Sequence, residues 1–138
     1  MFQNPTDDQI KELLKETRTI AVVGLSDKPE RDSHRVAKYL QQHGYKIIPV
    51  NPKLNEILGE KAYKKVSEIP EQVDIVDVFR RSIDTPSVVE DALVKKPKAI
   101  WLQLGISNDD AAKMAQDNNI TMIMDRCIKI DHANLIGD

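Results

Sequence analysis

The chain has 138 residues, enough for one domain with a full core and too few for two. Its 41% hydrophobic and 30% charged residues are those of an ordinary soluble globular protein. A formal net charge of −2 lacks the cationic surplus of a general nucleic-acid or membrane-surface binder, so neither partner is expected.

In chain order, Thr6 and Gln9 of "TDDQ" have capping-box spacing, and Ile10, Leu13 and Leu14 follow on one face, which predicts a helix over about 6–17. "TIAVVGL" (19–25) is an unbroken, β-branched apolar run, the pattern of a strand buried on both faces. Ser33 is the expected cap of the next helix, whose stripe is Val36, Ala37 and Leu40, and Gly44 ends it. "YKIIPVNP" (45–52) reads as the second strand, with Pro49 near an edge or an interrupted ladder. "EKAYKKVSEIP" (60–70) is weaker and suggests a short edge strand around Ala62 and Tyr63, then a turn of helix.

"VDIVDVF" (73–79) and "KAIWLQLG" (98–105) are further strands, separated by a helix with Thr85 as its expected cap and Pro86 in its first turn. Ser107 is the expected cap of the following helix, where Asp109 and Asp110 suit the dipole. "ITMIMD" (120–125) is the last strong strand, and the tail over 126–138 has no clear pattern. The alternation predicts one α/β domain over 1–138: a three-layer sandwich with a mostly parallel sheet of about five strands and helices on both faces.

Cys127, the single cysteine, has no internal partner, which suits a reducing compartment. The opening "MFQNPTDDQI" lacks a basic region followed by an apolar stretch, and no apolar run approaches the roughly 20 residues of a membrane span. A cytoplasmic protein is expected.

In an open α/β sheet the ligand lies beyond the carboxyl ends of the strands. The informative segments are therefore "GLSDKPERDS", "NPK", "RRS" and "QLG". In the first, Gly24 permits a tight turn and a close approach to its backbone. Ser26 offers a hydroxyl, Lys28 and Arg31 offer charge, and the amides near Ser33 favour an anion such as a pyrophosphate. The other glycines of a G-x-G-x-x-G fingerprint are missing, and no P-loop sequence exists. A binder of NAD would carry an acid roughly 20 residues past its glycine loop. Asn51-Pro52-Lys53 stands there instead, and Lys53 would attract a ribose phosphate, which NADP and coenzyme A both possess. A plainer reading makes Gly24 a turn residue and the three lysine and arginine side chains solvated.

If the chain stays extended past the fourth strand, only one of Arg80 and Arg81 faces the crevice. Phe79 could pack on an adenine, whereas Trp101 reads as core. Gln103 and Gly105 end a strand where a small residue leaves room for a ligand. His34, His43 and His132 are dispersed, no metal-binding motif is present, and Asp74 with Asp77 does not read as an acid–base dyad. No catalytic or metal residue is assigned. Cys127, at the ligand end of the sheet, reads as inert.

Taken together and in order, "AVVGLSDKPERDSHRVAKYL", "GYKIIPVNP", "ILGEKAY", "VDIVDVFRRS", "WLQLGI" and "MDRCIKIDH" resemble the small stand-alone CoA-binding domain proteins, relatives of the nucleotide-binding domain of the succinyl-CoA synthetase α subunit. The resemblance runs from about residue 18 to 132. It implies a Rossmann-like domain that holds coenzyme A or an acyl-CoA. Gly24, Leu25, Ser26, Lys28, Arg31 and Ser33 would line the phosphate loop. Asn51, Pro52 and Lys53 would face the ribose phosphate, and Phe79, Arg80, Gln103 and Gly105 would border the rest. The synthetase works through a phosphohistidine in a separate domain, and this sequence offers no substitute. The expected function is therefore non-catalytic CoA binding, with an NADP-dependent oxidoreductase and a CoA-linked thiol redox role for Cys127 as alternatives. Monomer and homodimer both stay open.

Overall fold

The apolar runs form strands, and the segments between them form helices that cover the sheet. The computed structural model describes residues 2–137. Its strands are β1 (Thr19–Val23), β2 (Lys46–Val50), β3 (Glu56–Ile57), β4 (Glu60–Lys61), β5 (Ile75–Val78), β6 (Ala99–Leu102) and β7 (Thr121–Ile123). The helices are α1 (Asp7–Glu16), α2 (Asp32–Gln42), α3 (Thr85–Leu93), α4 (Asp109–Asp117) and α5 (Ile128–Leu135). Five strands make a parallel sheet in the order β2-β1-β5-β6-β7.

Strand alternation sorts the core into two layers. Ala21, Val23, Val76 and Val78 pack with Val89 and Ala92 of α3 and with Ala111, Ala112 and Ala115 of α4. Ile20, Val22 and Ile75 pack on the other face with Ile10 and Leu14 of α1, Val36 and Leu40 of α2, and Ile128 of α5. The result is the expected three-layer α/β sandwich of Rossmann-like type.

The capping box at Thr6 forms as expected, with Gln9 N donating to Thr6 Oγ1 and Thr6 N to Gln9 Oε1. Three other caps differ from expectation. Ser33 lies inside α2, which is capped by Arg31, because the Ser33 hydroxyl is turned back to accept Ser26 N at 3.0 Å. Thr85 is the first residue of α3, and its hydroxyl donates to Ser82 O at 2.7 Å. Asn108, one position after Ser107, caps α4 by accepting Ala111 N at 2.9 Å.

The strand expected around Ala62 and Tyr63 shrinks to one parallel bridge between Val50 and Tyr63. Asn51 N donates to Tyr63 O at 2.9 Å, and Tyr63 N donates to Pro49 O at 3.0 Å. Pro49 thus turns its carbonyl outward, and its missing N–H faces the same outer side of β2. An unexpected hairpin of β3 and β4 precedes the bridge, turning at Leu58 and Gly59 with φ of 54° and 76°. The patternless tail contains α5, which packs against α1 and α2.

Trp101 is core, as expected, with its indole N–H donating to Arg126 O at 2.8 Å. Asp74 accepts the amides of Arg18 and Thr19. Asp77 is fully buried, paired in register with Val22 and Trp101, and neither carboxyl oxygen has a partner among the described residues. The two acids are separate structural groups.

One feature of the strand order positions the site. From β1 the chain crosses to β2 on one side and later returns to β5 on the other. The loops leaving β1 and β5 therefore diverge, and a crevice opens between them at the carboxyl edge.

Candidate ligand cleft

The crevice is built on Gly24, whose φ is +84°. Its amide donates to Val50 O at 2.9 Å, and Phe79 N donates to Val23 O at 2.8 Å, so the ends of β1, β2 and β5 converge on one point. The Phe79 carbonyl occupies the space that a side chain at Gly24 would need. Leu25, next in the chain, buries its side chain completely and does not line the cleft. Its carbonyl accepts Asn51 Nδ2 at 3.0 Å, which ties the first loop to the second.

The first concavity, about 530 Å³, is walled by Gly24, Ser26, Lys28, Arg31, Ser33 and Phe79, with Glu30 and Asp32 at its side. Ser33 Oγ accepts Ser26 N, and Ser26 Oγ accepts Lys28 N at 3.1 Å. Each hydroxyl is thus oriented by accepting a bond and keeps its own hydrogen to donate. Arg31 caps α2 without a side-chain bond, and the amides of Asp32 and Ser33 have no acceptor among the described residues. Two free amides at a helix start and two free hydroxyl hydrogens suit an anion. The Asp32 carboxylate, which would oppose one, is paired with Arg35.

The second concavity, about 400 Å³, is lined by Val23, Gly24, Val50, Asn51, Pro52, Lys53, Lys64 and Arg80. Asn51 spends both ends of its amide on the fold, since its Oδ1 accepts Lys53 N at 2.9 Å. It shapes the turn, and the charge is left to Lys53, Lys64 and Arg80. Lys64 joins them through the bridge at Tyr63. Among the described residues no acidic side chain lines this part.

The third concavity, about 620 Å³, is mostly apolar, with Val36, Phe79, Leu104, Ile106, Cys127 and Ile130 in its walls. Arg35, Arg80, Arg81 and Lys129 add charge, and Asp32 and Gln103 complete it. Both arginines after β5 reach it because the chain bends at Arg80, so strand alternation does not apply there. They converge on Asp84, at 3.5 Å from Arg80 and 3.0 Å from Arg81. The hydrogen bond from Arg81, with the charges of both arginines, holds the Asp84 carboxyl below its ordinary range. Gly105 lines none of the three concavities. Its φ of +85° serves a turn in which its amide donates to Asp125 Oδ1 at 2.6 Å. His34 also lies outside them.

Gly24 borders the first and second concavities, Phe79 and Asp32 the first and third, and Arg80 the second and third. They form one cleft with an amide-lined centre, a cationic arm and an apolar arm. Among the described residues no group of three or more His, Cys, Asp or Glu is placed to hold a metal ion. No described helix is long and apolar enough to cross a membrane.

A family model described as "CoA binding domain" matches residues 18–133. The uncharacterized protein YneT of Bacillus subtilis (strain 168) is 49% identical over 132 residues, covering 96% of this chain and 98% of that protein. An ADP-forming acetate–CoA ligase of Methanocaldococcus jannaschii is 29% identical over 128 residues, and this chain spans only 18% of its length. Among solved structures, a hypothetical protein from Pyrococcus horikoshii OT3 superposes with a TM-score of 0.94 at 39% identity, over 99% of both chains.

Proposed function

The chain belongs to the CoA binding domain family, and from that premise we propose that it binds coenzyme A or an acyl-CoA in the cleft as a non-catalytic binding module. One observation carries this reading: three concavities of different chemistry share walls at Gly24, Phe79 and Arg80. Coenzyme A has a diphosphate, a phosphorylated ribose and a long pantetheine arm. The diphosphate suits the amides of Asp32 and Ser33 with the hydroxyls of Ser26 and Ser33. The ribose phosphate suits Lys53, Lys64 and Arg80. The arm then runs past Phe79 into the apolar part.

NADP shares the first two groups and lacks the arm, so the ligands separate by experiment. Thermal unfolding is measured with CoA, dephospho-CoA, NADP and NAD at matched concentrations. A ligand at 100 times its Kd stabilises by about 2.7 kcal/mol, several degrees in a domain of this size. CoA should give the largest shift, dephospho-CoA a smaller one and NAD none. A shift with NADP alone would replace CoA by NADP.

A further inference from the structure

We infer that the apolar arm of the cleft is a thiol-exchange site, in which Cys127 takes one CoA unit from CoA disulfide into a mixed disulfide. The inference rests on the CoA reading of the cleft. Cys127 is half-buried, immediately precedes α5 and lines the same concavity as Phe79 and Asp32. Those two residues also wall the amide-lined centre. A ligand anchored there by its diphosphate has a continuous path to the sulfur.

A second and independent feature of the same concavity points to a ligand. Gln103 is 4% exposed, and its Oε1 accepts Ile128 N at 3.2 Å, at the start of the helix that Cys127 precedes. That bond fixes which way the side-chain amide faces. Its Nε2 has no acceptor among the described residues, and Gln103 forms part of the cavity wall. That unpaired N–H group is open to the cavity, where a ligand carbonyl would accept it. The pantetheine arm carries amide carbonyls. Gln103 would thus hold the start of α5 with one end and the arm with the other, bringing the CoA sulfur to Cys127.

The exchange balances without an outside oxidant. The Cys127 thiol gives its proton to solvent, and its sulfur attacks one sulfur of CoA disulfide. A new S–S bond joins Cys127 to that CoA, and the old S–S bond breaks. The second CoA leaves as a thiolate and takes up a proton. Its exit is open, since Leu104 and Ile130 at the cavity wall are 64% and 52% exposed. A small thiol reverses the step, so the protein would hold CoA in a recoverable, masked form.

The test follows adduct formation by intact mass, with CoA disulfide and, separately, glutathione disulfide as the reagent. Holding the reagent in the cleft should make the CoA adduct form about tenfold faster or more than the glutathione adduct. Excess desulfo-CoA, which fills the cleft without a thiol, should slow only the former. Equal rates, or no protection by desulfo-CoA, overturn the proposal and leave Cys127 an ordinary accessible thiol. Gln103→Glu keeps the acceptor for Ile128 N and removes the free donor. It should erase the CoA preference, read as the ratio of the CoA to the glutathione rate in the same variant, and a preference retained in the folded variant also counts against the proposal. Stabilisation by CoA without a preferred adduct removes this inference alone, whereas no stabilisation by CoA removes the underlying reading.

Discussion

A Cβ on Gly24 would lie closer than 3.0 Å to the carbonyl oxygen of Phe79. The floor of the cleft is therefore a backbone-to-backbone approach that only glycine permits. Gly24→Ala must push apart the ends of β1 and β5 and hold φ near +84°, a strain of about 1–3 kcal/mol before the clash is counted. The expected outcome is a melting temperature lower by several degrees, with loss of CoA binding in the protein that remains folded. Gly105→Ala also meets a positive φ, but nothing crowds its Cβ and it lies outside the cleft. It should be destabilised less and keep its ligand affinity. Calorimetric titration of both variants checks the contrast.

Lys53 sits in the cationic arm with Lys64 and Arg80, and no acidic residue lines that arm among the described residues. Lys53→Glu should weaken CoA by about tenfold while affecting dephospho-CoA much less, because only CoA carries the ribose phosphate. Lys64→Glu should act in the same direction. Equal losses for the two ligands would remove these lysines from that role.

Asp77 is a carboxyl buried in the sheet with neither oxygen paired, and burial raises its pKa well above the ordinary 3.8. In the unfolded chain it ionises as pH rises past that value, while the folded protein keeps it protonated. Stability is therefore lost as pH climbs from the unfolded pKa toward the raised folded one. Asp77→Asn removes the ionisation and should raise the melting temperature at neutral pH, with a gain that grows with pH between the unfolded pKa and the raised folded one and then levels off. Melting curves above pH 7, away from histidine titration, isolate the effect. A variant less stable than the native protein there would contradict it.

His132 works in the opposite direction. It is buried against Tyr39, Tyr45 and His43, and its Nδ1 lies 2.8 Å from the Tyr39 hydroxyl. Burial first, and then the charge of His43, lower its pKa from 6.5. The unfolded chain accordingly takes up the proton first as pH falls. Stability is fully present above about 6.5 and is lost progressively below it, toward the lower folded pKa. Melting temperatures between pH 8 and pH 5 should decline in the native protein. The slope should flatten in His132→Gln, which can still pair with Tyr39.

The sheet was legible because strands buried on both faces leave unbroken apolar runs, as in "TIAVVGL" and "KAIWLQLG". The caps were less so. Ser33, Thr85 and Ser107 are good capping types, but Ser33 is drawn off by the Ser26 amide, and Asn108 takes the place of Ser107. Propensity cannot rank neighbouring hydroxyl and amide side chains when a tertiary bond decides between them. The β3–β4 hairpin has only two residues per strand, too few for a period to show. In the cleft, loops after strands were readable from their position alone, which located Gly24, Ser26, Lys28, Arg31, Lys53 and Arg80. Missed were Arg35, Ile130 and Lys129, which come from helical faces. The pattern of α5 mixes apolar and polar residues on every side, so its contribution appears only once it is packed beside the cleft.

The most direct test of the central claim is a diffraction experiment on the protein crystallised with CoA. The account predicts the diphosphate within hydrogen-bond distance of the amides of Asp32 and Ser33, the ribose phosphate beside Lys53, and the pantetheine arm past Phe79 toward Gln103. Coenzyme A bound away from Gly24, or with its arm directed out over β2, would contradict it.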